Sequence, residues 1–201
     1  MFGALQFLAF SDTCSILAVV GTILGMSAHP QSTYRIEIDK AFSEEDITPM
    51  LQAIAEWEEI SDGNIIFDVD YEACEVAPYT VCIKKVSSSY LNGLVKYDNL
   101  GSAGETVYNN IPGSSSILMA GWKESGFTKQ QLKGITAHEL GHAMMLTHSK
   151  KGVMYYSLGG AGTLDVNCDD LAQFSFIYKL PNQSLSCPKG GHWEDDDIHN
   201  K

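Results

Sequence analysis

Positive charge is scarce in this chain. Its 201 residues carry 13 Lys and Arg against 25 Asp and Glu, a net charge of −12. The basic residues form no cluster, which excludes the electrostatic footprint of a nucleic-acid binder. The surplus acid reads as a soluble, self-repelling surface. No internal repeat is found. Wholesale disorder is excluded by composition, since 44% of the residues are apolar and 10% aromatic, enough for a packed core. A chain of this length reads as one domain with extensions.

Lys and Arg are absent altogether from residues 1–28, which contain a single acid, Asp12. The apolar run Ser15 to Met26 has the length of a signal-peptide core, and Met26-Ser27-Ala28 is a tolerable cleavage signature. Residues 1–28 therefore read as a signal peptide or a hydrophobic anchor, although Asp12 interrupts the span that an anchor needs. A buried N-terminal helix is the third reading. Membrane contact is expected only if the segment is an uncleaved anchor.

Cysteine is sparse and odd in number: Cys14, Cys74, Cys82, Cys168 and Cys187. Loss of the leader would remove Cys14 and leave four, an even set that suits an oxidising compartment. Cys74–Cys82 and Cys168–Cys187 are the sequence-local pairings. Three connectivities are open, and so are four free thiols in a reducing cell.

What is present reads as an α+β order. Residues 33–39 (TYRIEID) alternate like a half-buried strand. A helix follows within 44–60, started either at Ser43, before three acids, or at Thr48-Pro49. Ile47, Leu51, Ile54 and Glu58 mark one of its faces, and Gly63 suits its end. Residues 64–70 and 80–86 read as strands. Residues 87–114 read as loop, with a short strand near Leu94–Tyr97, and 115–121 as another strand. Thr128 and Gln131 form a capping-box pattern opening a helix that carries Leu132, Ile135, Leu140 and Ala143. Residues 157–164 are a Gly-rich loop. Asn167 or Asp165 caps a last helix over 168–179, ended by Pro181. Residues 182–201 read as an acidic flexible tail.

Histidine, too, is rare, yet three of the six fall in HELGHAMMLTH, residues 138–148. Four apart on a helix, His138 and His142 point the same way and can hold one metal ion. Glu139 sits one step round, a poor third ligand but able to touch a water on the metal. HExxH on a helix is the zinc-peptidase signature for this reason. An amphipathic helix with two incidental histidines is the bland alternative. On a continuing helix His148 would lie about 9 Å beyond His142 and on another face. It can complete a three-ligand zinc site only if the helix stops near residue 145 and the chain turns back.

HELGHAMMLTH resembles the metzincin pattern HExxHxxGxxH at every defined position but one. Met154, in GVMYYS, stands where metzincins carry their Met-turn. The layout of residues 33–179 looks like a matrixin-type catalytic domain. The resemblance implies an α+β metzincin fold: a twisted mixed sheet above, the active-site helix beneath, a Met-turn and a C-terminal helix, with residues 29–181 as the catalytic domain. It implies a zinc endopeptidase cutting protein or peptide substrates, with His138, His142 and His148 holding one catalytic Zn2+. Glu139 would be the base for the zinc-bound water, and Met154 would pack beneath the imidazoles. Tyr156 lies at the offset where astacin-like members bring a phenol to the zinc, which implies oxyanion stabilisation; a structural hydrogen bond is the other reading. Tyr155 fits the matrixin Tyr at the first position. The resemblance also lets a peptide pair with an edge strand, Ile117–Gly121, and lets the loop 157–164 shape a pocket.

Met145 departs from the family's Gly, whose backbone turns through positive φ. A non-Gly residue there costs about 1–2 kcal/mol, which zinc ligation can offset. Residues 98–114 lack the His/Asp set of the matrixin structural zinc, so no second zinc is expected. A Cys-switch propeptide is missing as well. The acids of DVDYE, 68–72, supply too few oxygens for Ca2+, which stays unsupported. Other zincins would take their third ligand from Asp165, Asp169, Asp170 or a downstream Glu. No Glu follows Glu139 until Glu194, and Gly162-Thr163-Leu164-Asp165 is one residue short of the Asp-type motif. A non-catalytic zinc-binding homologue acting as a binding or structural protein is the alternative function. A monomer, secreted, is expected; a membrane-anchored form or a place in a virion or cell envelope is the alternative. His29, His192 and His199 read as exposed terminal residues.

Overall fold

The computed structural model describes residues 33–71, 74–94, 103–155 and 163–178. Residues 1–32 and 179–201, with His29, His192 and His199, lie outside the described residues, as do Tyr156 and most of the Gly-rich loop.

Five strands form one mixed sheet: β1 (Thr33–Ile38), β2 (Ile66–Asp70), β3 (Thr80–Lys85), β4 (Gly104–Tyr108) and β5 (Ser115–Met119). Their order is β2-β1-β3-β5-β4, all parallel except β4, which runs antiparallel to β5. Five helices are described: α1 (Glu44–Ile60), α2 (Ser88–Leu94), α3 (Trp122–Ser125), α4 (Lys129–Ala143) and α5 (Cys168–Tyr178). The chain is thus α+β with a mixed sheet, as expected.

β1 alternates as a half-buried strand does, with Thr33 and Arg35 exposed and Tyr34 and Ile36 buried. Ile36, Ile38, Ile83, Ile117 and Met119 are buried in one core with Met50, Ala53, Ile54 and Trp57 of α1 and Leu132, Ile135 and Leu140 of α4. α1 and α4 pack on each other. At their crossing the indole Nε1 of Trp57 donates to the Ala137 carbonyl at 2.9 Å, one residue before His138.

Of the two possible starts for α1, Ser43 is the one used. Its hydroxyl accepts from the Asp46 N–H, and the Asp46 carboxylate accepts from the Ser43 N–H. Pro49 therefore lies inside the helix, where it removes the bond to Glu45 that an N–H would make. The end is as expected, with Gly63 at φ 70 donating to Glu58.

Two expectations are corrected. Residues 87–114 are not all loop: α2 and β4 fall within them, and Leu94 ends α2 instead of starting a strand. Residues 95–97 are outside the described set. Ser87 opens α2 by accepting from the Tyr90 N–H, and Leu91 is buried. The segment 115–121 is not an edge strand either. β5 lies between β3 and β4, so β4 forms that edge. The reason is the tight return at Ile111–Ser114, where Asn109 N–H and Ser114 C=O pair.

Cys74 and Cys82 are disulfide-bonded with Cα atoms 5.4 Å apart, tying the segment after β2 to β3. Cys168 is disulfide-bonded too, to a partner outside the described residues. No helix among the described residues is long and apolar enough to cross a membrane.

The Asp46 carboxylate also receives the Trp122 N–H at 2.9 Å, so one buried acid joins the start of α1 to the chain leaving β5. Hydrogen bonds to a charged group contribute about 1.5–3 kcal/mol. Asp46→Ala should lower stability by about 2–3 kcal/mol in urea denaturation. A loss below about 0.5 kcal/mol would contradict this coupling.

Candidate metal centre

α4 begins where its capping box predicts. Thr128 Oγ1 accepts from the Gln131 N–H at 3.2 Å, and Gln131 Oε1 accepts from the Thr128 N–H at 2.8 Å. Its last residue is Ala143, with Met144 as the cap. Met145 N–H then bonds the His142 carbonyl at 2.7 Å and Leu146 N–H bonds the Gly141 carbonyl at 2.9 Å. These two crossed bonds are a Schellman closure, which needs a left-handed residue between them. Met145 is that residue, at φ 71.

The turn aims the chain back along α4. Gln173 of α5 grips Thr147 at both backbone groups, its Oε1 accepting from the N–H and its Nε2 donating to the carbonyl. Ser149 N–H donates to the Met154 carbonyl at 2.9 Å. His148 hangs between these anchors. Its Nε2 lies 3.2 Å from Nε2 of His142, which lies 3.0 Å from Nε2 of His138. The three residues are close enough to hold a metal ion, their ligand atoms all lying within 4.8 Å of one another.

Hydrogen bonds at the far side of two rings define the donor set. His138 Nδ1 sits 2.7 Å from the Val153 carbonyl, and His142 Nδ1 sits 2.9 Å from the Leu146 carbonyl. A carbonyl only accepts, so each Nδ1 carries a proton, and each Nε2 is the ring atom turned inward, a lone-pair donor whenever it bears no second proton. The two such lone pairs of His138 and His142, facing at 3.0 Å, repel unless a cation stands between them. A tetrahedral ion with nitrogen bonds of about 2.0–2.1 Å sets its ligands roughly 3.3 Å apart, close to the two separations from His142 Nε2.

Support for the site comes from groups distant in sequence. Met154 is fully buried, and a Cβ on Gly141 would stand 2.2 Å from its sulfur, so glycine lets the turn residue press against α4 beside His142. Asp170, fully buried, accepts from the N–H groups of Val153 at 2.9 Å and Met154 and Asn167 at 3.0 Å. Burial raises the Asp170 carboxyl above its ordinary range, against these three donors. Asn167 is the cap of α5, its Oδ1 accepting from Asp169 N–H. Asp170 and Asp165, weighed as ligands, have other partners: Asp165 pairs with the buried Lys133, which also meets Glu56.

Glu139 is buried beside β4. The Thr106 hydroxyl lies 2.6 Å from its Oε2 and 3.0 Å from its backbone oxygen, and with one proton to give it favours the carboxylate. Gly104 allows the strand this close, since a Cβ there would be 2.9 Å from Glu139 Cγ. The Tyr108 hydroxyl donates to the His142 carbonyl at 2.7 Å. Neither Thr106, Tyr108, Asp170 nor Gln173 carries a local sequence signal for these roles. Gly141 does, because glycine inside a helix costs about 1 kcal/mol against alanine and so marks a close approach. Of the acids in DVDYE, Asp70 pairs with Arg35.

Comparison with known proteins finds no family model that matches the chain and no curated protein similar to it in sequence.

Met145 is 40% exposed, so its side chain can be removed without emptying the core. Met145→Gly relieves about 1–2 kcal/mol of left-handed strain and adds about 0.4–1 kcal/mol of unfolded-chain freedom. Net stabilisation near 1 kcal/mol is expected in urea denaturation, and a destabilised variant would contradict the strain.

His148 is the most exposed ligand. Even so, burial of the ring, and then charge on His142 and His138, lowers its pKa to about 4. The unfolded chain takes a proton there near the ordinary value of 6.5, which the folded chain refuses until about 4. Metal-free protein should therefore lose stability as pH falls through that window, with no such effect above it. Denaturation in chelator should show a shallower acid decline for His148→Gln; parallel curves would contradict the shift.

Proposed function

We propose that the protein is a zinc-dependent endopeptidase of metzincin type, matrixin-like in layout. One observation carries the reading: three inward Nε2 donors converge beside a buried glutamate that a donor from β4 holds in place. A purely structural tetrahedral site is closed by four ligands, whereas three protein ligands leave a position for water. The histidine set and Glu139 fit that arrangement.

Bound zinc would supply Lewis acidity and make a nearby water a stronger acid at neutral pH. Glu139 takes the proton as that water attacks the scissile carbonyl, and returns it to the leaving amine. The Thr106 hydroxyl orients the carboxylate while it does so. A peptide would lie extended along β4, the edge strand of the sheet nearest Glu139, and gain main-chain hydrogen bonds there. Export to an oxidising compartment is part of the proposal, supported by the Cys74–Cys82 disulfide.

Cleavage of casein by purified protein should stop with a zinc chelator and return with added zinc. Glu139→Ala should keep the metal and lose about 10²–10⁴-fold in rate. Stoichiometric zinc with no cleavage of any peptide library would contradict the peptidase and favour the binding-protein alternative.

A further inference from the structure

A buried cation on α4 plays no part in the mechanism above. Lys133 is 5% exposed and lies ahead of His138 on the same helix. Its ammonium meets two carboxylates from distant parts of the chain, Glu56 of α1 and Asp165 of the segment that leads into α5. The other oxygen of Glu56 accepts from the Val166 N–H at 3.2 Å, and Gln130 Nε2 donates to Asp165 Oδ1 at 3.2 Å. Burial pushes the Lys133 pKa down, but the two carboxylates outweigh it and hold it above its ordinary value. The ammonium therefore stays charged.

The next residue serves the same contact. Gly134 lies inside α4, where glycine is disfavoured. A Cβ there would stand 2.7 Å from Leu164 Cδ2 and 3.1 Å from the Leu164 Cα, so glycine lets residues 163–167 lie this close to the helix. A buried charge and a missing side chain at adjacent positions of α4 thus receive one segment.

The docked segment leads back to the metal centre. Thr163 N–H donates to the Gly152 carbonyl at 3.2 Å. Gly152, at φ 82, is pressed against Asp170, where a Cβ would stand 2.5 Å from Oδ1. Val153 follows, and its carbonyl lies 2.7 Å from His138 Nδ1. The path leaves α4 at Lys133 and returns to it at His138. A metal-binding imidazole is oriented by the acceptor on its other nitrogen, and loss of such an outer partner weakens the metal.

We propose that Lys133 is a positioning residue for the metal: it holds residues 163–167 on α4 and so places the Val153 carbonyl that orients the His138 ring. The assignment rests on the histidine set of the peptidase reading. An ion pair that served folding alone would cost stability when removed and leave the affinity for the ion unchanged.

The test measures the zinc dissociation constant of the full chain by competition with a chromophoric chelator. It also records the visible spectrum of the cobalt-loaded form. Lys133→Met should weaken zinc about tenfold, the low end for loss of an outer partner, and should shift the cobalt bands. Asp165→Asn alters a carboxylate that is 63% exposed, so it spares folding and should move both readouts in the same direction. Asp46→Ala is the control for lost stability, because its hydrogen bonds touch none of the three histidines. It should match the parent in both readouts. An unchanged constant and spectrum in Lys133→Met, or in Asp165→Asn where Lys133→Met does not fold, would overturn the assignment and leave the peptidase standing. An equal fall in Asp46→Ala would do the same. A parent protein that takes up no zinc would overturn both. Neither readout needs cleavage, so failure of the peptidase reading alone shows separately, as zinc bound without a cut.

Discussion

The candidate site depends on one backbone reversal. α4 carries two of the three histidines, and nothing on a helix can carry the third to the same point. The Schellman closure at Met145 solves this by bending the chain through the left-handed region directly after the helix. Its two hydrogen bonds satisfy carbonyls that the helix end leaves open. Glycine would make the bend without strain; here a methionine makes it, and the surrounding contacts hold the strain in place.

Those contacts form a shell around the reversal. Gln173 and Asp170 both project from α5, one gripping Thr147 and the other gripping Val153 and Met154. The Tyr108 hydroxyl and the Met145 N–H share the His142 carbonyl, and the Tyr178 hydroxyl reaches the Met144 carbonyl at 3.2 Å. The Tyr34 hydroxyl meets that of Tyr178 at 2.8 Å, linking β1 to the end of α4. Burial keeps the Tyr178 phenol well above its usual pKa, so it stays a neutral donor. α5 is thus less a closing element of the fold than a brace for the loop that presents His148. The disposition of a ligand set is bound to tertiary packing here, as it is wherever outer partners orient imidazoles.

Much of this was legible in the sequence where the physics is local. Ser43 before three acids and the capping box at Thr128 are signals within one turn of chain, and both starts are used. The spacing of His138, His142 and His148 demanded a helix that stops near residue 145, and α4 stops at Ala143. Elements without local signal were missed. β4 is GETVY, and the face it lays on α4 is Gly, Thr and Tyr, with no large aliphatic residue to betray a buried strand. α2 is only seven residues long, with three serine and asparagine residues and Gly93 within it, too short for a helical apolar period to show. Missing β4 made β5 look like the edge. Thr106, Asp170 and Gln173 act across 16 to 33 residues of chain, a distance at which no periodicity reports.

The account stands or falls on three imidazoles sharing one ion. X-ray absorption at the zinc edge of the purified protein measures this directly. It should give one zinc per chain with three nitrogen neighbours at about 2.0–2.1 Å and a light oxygen scatterer in the remaining position. Protein that takes up no zinc, or an ion with sulfur ligands or fewer than three imidazoles, would contradict it.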